Sequence, residues 1–366
     1  MRNSKAFWAA AFFLSLALPE KGSKEPLWKV TLPGESAGSP SVYAREAIVA
    51  TKNGLLGAWD RSGRAAWKQK LPAGCLAAPA VDRNGDIYVA CADGSLLRFS
   101  STGKQIWQCG LKQGLLATPL LADTVLFTVS ESGRVSRISK KEGAILKQTD
   151  LNLPVHSSPV WSAGRRHLLV PTKDCFLVAL SQELRVLWKF KTTGVILSSP
   201  AVTPRDEVYL TSMDHHLYKL DPAGRPIWKF KARGWIKASP VIDENGRAYV
   251  GSYGRRFNAI GADGKPLWRF HSTASFTASA AIDEAGTIYC GDTSGTVYAL
   301  GRGGKLSWKY KSADFITSDL TILPDKILLA GSVDGTLLAF QIGQPMSRKA
   351  WWAKYLGNLS NSGFDE

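Results

Sequence analysis

The chain has 366 residues, 45% of them hydrophobic, with 34 Gly, 18 Pro and 13 Trp, and its 46 Lys and Arg exceed its 30 Asp and Glu to give a net charge of +16. This apolar content excludes disorder over most of the length, and the lack of a Gly-x-y or heptad period excludes collagen-like and coiled-coil chains. The basic surplus is scattered rather than run together, so it suits either a solvated surface or an acidic partner, and nucleic acid is not expected.

In chain order, Arg2 and Lys5 precede an apolar run, Ala6–Leu18, which has the length of a signal-peptide core and is too short to span a bilayer. Ser15-Leu16-Ala17 offers small residues near a cleavage point, and no Cys follows to accept a lipid. The expectation is a signal peptide at 1–18, a linker at 19–26 and a soluble exported protein, periplasmic or at the cell surface, with no transmembrane span. Five Cys is an odd number for an oxidising compartment, so a complete disulfide framework is not indicated.

From residue 27 onward a repeat dominates. Trp28, Trp67, Trp107, Lys147, Trp188, Trp228, Trp268 and Trp308 are spaced by 39, 40, 40, 41, 40, 40 and 40 residues. Twelve positions after six of these markers stands a Pro (Pro40, Pro79, Pro119, Pro159, Pro200 and Pro240), usually preceded by Ser, with Ala280 and Leu320 in the last two units. Within a unit, an apolar pair such as Val241-Ile242 leads through Asp243-Glu244-Asn245-Gly246 to Ala248–Gly251. A second hairpin turns at dipeptides such as Asp93-Gly94, and a last turn places Gly four residues before the marker at Gly63, Gly103, Gly224, Gly264 and Gly304. Four short strands per ~40 residues is one propeller blade, which cannot bury both faces alone. The predicted fold is therefore an all-β, eight-bladed β-propeller of four-stranded blades over 27–342, the ring closed by residues 27–31 completing the last blade. The marker Trp residues are expected to wedge between blades. The small residues ten positions after each marker, such as Ala77, Ser157 and Ala278, are expected to face a crowded axis.

Segments such as Lys219-Leu220-Asp221-Pro222-Ala223-Gly224-Arg225-Pro226-Ile227-Trp228 resemble the Ala-Leu-Asp-x-x-Gly-x-x-x-Trp segment of the pyrroloquinoline-quinone-type, or quinoprotein-like, propeller repeat. The placement of Trp-Asp and Gly-His dipeptides typical of WD40 repeats is absent. The resemblance implies one of two kinds of protein. Quinone-dependent dehydrogenases hold cofactor and calcium at the propeller centre, whereas non-catalytic members, including the propeller of the bacterial outer-membrane protein assembly machine, are docking scaffolds. Residues 343–366, with Trp351-Trp352 and Tyr355-Leu356-Gly357-Asn358, resemble a tail appended to such exported propellers, expected to pack on a blade edge.

Calcium and a quinone need convergent oxygen ligands. The positions eight and nine after each marker contain no carboxylate, and Glu35, Asp314 and Asp319 are the nearest acids, able at most to hold a weak cation. No cofactor is expected, and none of the five His lies in a metal or catalytic motif. Cys75 and Cys91 come to one end of the same blade, where a disulfide is geometrically conceivable; Cys109 takes the place of Phe190 and reads as a small core residue. The loops before Ser-Pro and the second-hairpin turns share one end of the ring, and there Arg233, Trp235 and Lys237 meet Arg255-Arg256, with His215-His216 in the neighbouring blade. Arg and Trp anchor interfaces. The expected function is a monomeric, non-catalytic scaffold binding envelope proteins with an acidic surface; the alternatives are a quinone-dependent oxidoreductase and a binder of anionic glycan or lipid.

Overall fold

The structure, a computed structural model, describes residues 23–36, 38–351, 353 and 356; the predicted signal segment, residues 19–22 of the linker and most of the tail beyond Trp351 lie outside these. The described residues form eight four-stranded antiparallel sheets arranged as successive blades, from Ser41–Lys70 to a last blade built from Thr321–Leu323, Ile327–Gly331, Thr336–Gln341 and the first strand, Trp28–Thr31. In that last blade Trp28 pairs with Ala339 and Thr31 with Thr336, so the two ends of the chain close the ring as the repeat predicts.

The second and third strands of each blade, such as Ala248–Ser252 and Arg256–Ile260, are buried on both faces because each sheet is covered by its neighbours. The first hairpin turn explains its own sequence. In the sixth blade Asp243 accepts the backbone N–H groups of Asn245 and Arg247, both at 2.9 Å, and the Tyr249 hydroxyl at 3.0 Å, while Gly246 takes φ +72°.

The outer strands carry a feature the period does not reveal. Each of the first seven blades has a bulge just before the marker; in the fifth, Trp228 pairs with Lys219 but Leu220 pairs with Pro226. The extra residue there, such as Ile227, Leu187 or Leu267, is exposed. The marker itself is aimed at the next blade. Trp228 Nε1 donates to the Ala262 carbonyl at 2.9 Å and its ring lies against Gly264; Trp67, Trp107 and Trp268 do the same to Ser101, Lys140 and Arg302. Those Trp are inter-blade latches, and the recurrent turn Gly is small because an indole covers it.

Around the centre, the Ser of the Ser-Pro signature links blades. Thr118, Ser199 and Ser239 each donate their backbone N–H to the hydroxyl of the next unit's Ser, Ser158, Ser239 and Ser279, at 2.8, 3.0 and 3.0 Å; Ser279 donates at 2.6 Å to Asp319, which stands in the Ser position of the last unit. One expectation holds only in part. The axial cavity is lined mainly by the residues nine and eleven positions after the markers, joined by the small ten-position residues Gly38, Ala77 and Ser157. Others of the ten-position set are engaged by neighbouring strands: Ser198 bonds the Thr211 carbonyl at 3.0 Å and Ser318 accepts from Gly331 N–H at 2.6 Å. Those two are small because neighbouring strands press on them.

The described part of the tail packs on the ring. Ser347 N–H donates to Ile282 O at 2.9 Å, Ile282 N–H to Ala353 O at 3.0 Å, and Trp351 lies against Gly246.

Candidate docking face

At one end of the ring, each second-hairpin turn donates a backbone N–H to the loop that leaves the outer strand. Tyr253 donates to Trp235 O at 2.9 Å, Val333 to Phe315 O at 3.0 Å, and Lys52 to Glu35 O at 3.0 Å, and all eight blades repeat the bond. Glycine makes the approach possible in the sixth: Gly234 has φ +100°, and a Cβ on Gly254 would run into the Arg233 carbonyl. The backbone scaffold is thus constant and only the paired side chains vary.

They vary in an ordered way around the rim. One arc is charged: Lys52 Nζ lies 2.5 Å from Glu35, and Lys173 Nζ lies 3.8 Å from Glu131. The opposite arc is apolar, with Val195 and Met213, then Trp235 and Tyr253, then Phe315 and Val333, interrupted by Ser275 and Thr293. Trp235 and Tyr253 meet edge to face at 5.8 Å and 66°. Trp235 is 49% exposed and Phe315 51%, so these rings are presented to solvent rather than used in the core.

The sequence-predicted residues come to this end. Arg233, Lys237 and Arg255 are exposed, and Arg255 occupies the turn with φ +60°, whereas Arg256 is half-buried and starts the following strand opposite His271. Among the described residues none of these four cations forms an ion pair. The two His differ from each other. His215 is half-buried with φ +76°, while His216 Nδ1 contacts the Asp214 carbonyl at 2.9 Å and its ring lies 5.6 Å from Tyr218. Burial works to raise the Asp214 carboxyl, but hydrogen bonds from Tyr218, Thr193 and His216 hold it below its ordinary range. His216 is therefore committed to shaping the turn.

The axial cavity opens beside this arc, with a volume of about 350 Å³. Lys237 and His156 line it, and burial, with the nearby charges of Lys173 and Lys237, lowers the His156 pKa. Its two acids are engaged: Glu35 with Lys52 and, at 2.8 Å, the Thr317 hydroxyl, and Asp319 with the Ser279 N–H. Asp314, the third acid, accepts the Phe315 N–H at 2.7 Å. Among the described residues no cluster of three His, Cys, Asp or Glu could hold a metal. Two carboxylates, one tied to a lysine, are a poor donor set for a calcium–quinone pair.

A family described as outer membrane protein assembly factor BamB matches the sequence over residues 17–114, 92–195 and 177–354. The chain belongs to this family. No curated protein matches the sequence. Among solved structures, BamB from Moraxella catarrhalis is 19% identical with a TM-score of 0.74, covering 87% of this chain and 97% of its own. A computationally designed protein, Ika8, is 14% identical at TM-score 0.75 over 88% and 100%, and Saccharomyces cerevisiae Sqt1 is 12% identical at 0.75 over 88% and 100%. At such identities the likeness is one of fold.

Sequence reasoning found Trp235 and its basic neighbours but missed Tyr253, Phe315 and Val333. Phe315 was accessible, because it occupies the same seventh position after its marker as Trp235. Tyr253 lies in the same second-hairpin turn as Arg255 and was passed over; its pairing with Trp235, like that of Val333 with Phe315, rests on a backbone bond across 18 residues.

Proposed function

We propose that this BamB-family propeller is an exported, non-catalytic docking scaffold of the cell envelope that binds a protein partner at the Trp235 face. The observation carrying the reading is the apolar half of the rim, exposed Trp235 with Tyr253 and exposed Phe315 with Val333, beside Arg233 and Arg255, which have no ion-pair partner among the described residues. Rigid aromatic side chains held by the backbone lose little entropy on binding, and unpaired guanidinium groups favour an acidic partner surface. The signal-like segment, which lies outside the described residues, supports export. No described helix is long and apolar enough to cross a membrane.

The test is a triple variant, Arg233→Ala, Trp235→Ala and Arg255→Ala, used as bait on native envelope extract. Capture of outer-membrane assembly proteins is expected to fall at least ~10-fold, given roughly 2 kcal/mol per well-placed anchor. The thermal midpoint should stay close to that of the parent, since all three side chains are exposed. Undiminished capture by a folded variant would reject this face.

A further inference from the structure

Two repeat positions meet where the chain enters each blade. The first lies eight residues after the marker and is occupied by large apolar residues such as Leu115, Val155, Ile236, Phe276 and Ile316. The second ends or follows the neighbouring strand and is a hydroxyl residue in six blades, as in the bridges Ser36 to Thr51, Leu115 to Ser130 and Ile316 to Ser332, and Asp292 in the seventh. Only the second blade departs from the pattern at both positions at once, with Cys75 facing Cys91. Their sulfur atoms are 3.7 Å apart, and both residues are 0% exposed.

The backbone favours a bond there. The ladder hydrogen bond beside the pair runs from Ala92 N–H to Gly74 O at 2.9 Å, while Cys75 N–H turns to Thr51 O in the preceding blade and Cys91 O accepts Leu115 N–H from the following one. Cys75 and Cys91 thus exchange no backbone hydrogen bond, the antiparallel arrangement with the closest Cα atoms, about 4.5 Å apart. That separation lies within the range a disulfide bridges without backbone movement.

We propose that Cys75 and Cys91 form an intrachain disulfide in the exported protein, leaving Cys109, Cys175 and Cys290 as free thiols. The reaction is exchange with a disulfide oxidant. One thiolate attacks the oxidant's S–S bond and expels a thiolate; the second then attacks the resulting mixed disulfide and expels the other. Two protein thiols become one disulfide while the oxidant is reduced to two thiols. Contact with Cys91 and burial both push the Cys75 thiol up, so exchange belongs to the folding chain, before the second blade closes. Once formed, the bond pins the junction where the first three blades exchange backbone hydrogen bonds.

The compartment in this proposal rests on the exported reading above, so the experiment separates the two. Reduced, denatured full chain is refolded in a glutathione redox buffer, alkylated and mapped by mass spectrometry. The expected product is one cross-linked peptide pair containing Cys75 and Cys91, three alkylated cysteines, and a thermal midpoint raised by about 4 °C over the reduced form. In the Cys91→Ser variant the oxidised and reduced samples should melt together. Five alkylated cysteines, or cross-links spread indiscriminately among the five, would overturn the pair. If the refolded protein takes the bond and the same chain recovered from cells keeps five thiols, the pairing geometry stands and export is what fails.

Discussion

A chain beginning at Pro33 should lose roughly 3–6 kcal/mol of stability relative to one beginning at Ser23, because the missing segment contributes one buried apolar side chain at ~1.5–3 kcal/mol and two half-buried ones at about half that each. Those side chains are Trp28, Val30 and Leu32, which pack into a cluster with Leu329, Leu337 and Ala339 of the last blade. The same segment supplies the bonds from Leu27 N–H to Ala339 O at 2.6 Å and from Leu32 N–H to Gly335 O at 2.8 Å. Such a loss is a large fraction of the stability of an ordinary domain. It also uncovers a long strand edge, Thr336–Gln341, containing Leu337, Leu338 and Phe340, so association should accompany unfolding. Thermal melts followed by circular dichroism, together with size-exclusion chromatography, would check both outcomes. A truncated chain that remained monodisperse with an unchanged midpoint would show that the ring does not depend on its closing strand.

Closure was legible because a repeat that begins with a lone outer strand and ends one strand short has only one economical solution. The eight blades were legible for a related reason: each is one supersecondary unit with its own turn chemistry, so Gly224 or Asp243 reports on structure a few residues away. What escaped reading depends on register or on contacts between units. The bulge before Trp228 shifts pairing by one residue without a local sequence mark. Most residues lining the cavity differ by one position from those that crowding suggested, of which only Gly38, Ala77 and Ser157 reach it. On the rim, Trp235 and Arg233 stand out by residue type, whereas Tyr253 shares a turn with Arg255 and only the bond from that turn to the Trp235 loop pairs the two rings. His215-His216 looked available as a pair, but the turn consumes His216 through Asp214. Residue chemistry pointed to one end of the molecule, and only the fold divided that rim into charged and apolar arcs.

The junction between the third and fourth blades provides the second large expected effect. At six of the other seven junctions a latch Trp lies over a turn Gly with positive φ: a Cβ on Gly264 would come 2.8 Å from the Trp228 ring, and one on Gly63 2.9 Å from Trp28. At this junction the latch is Lys147 and the turn residue is Leu184, buried at 4% exposure despite φ +59°. The two departures explain each other. Without an indole there is room for a side chain, and Leu184 fills it alongside Trp161, whose Nε1 donates to Leu121 O at 2.7 Å. Lys147 turns outward to Glu183 at 3.8 Å. Gly264→Val should therefore cost about 2–5 kcal/mol, combining left-handed strain with displacement of an indole. Lys147→Trp should cost ~1–3 kcal/mol by overpacking against Leu184, and Leu184→Gly ~2–4 kcal/mol through the void it leaves. The double variant rebuilds the latch found at the other junctions, so it should be more stable than the sum of the single changes by at least ~1 kcal/mol in chemical denaturation. Strict additivity would mean that Leu184 does not occupy the place of the missing ring, and that the turn glycines are set by backbone conformation alone.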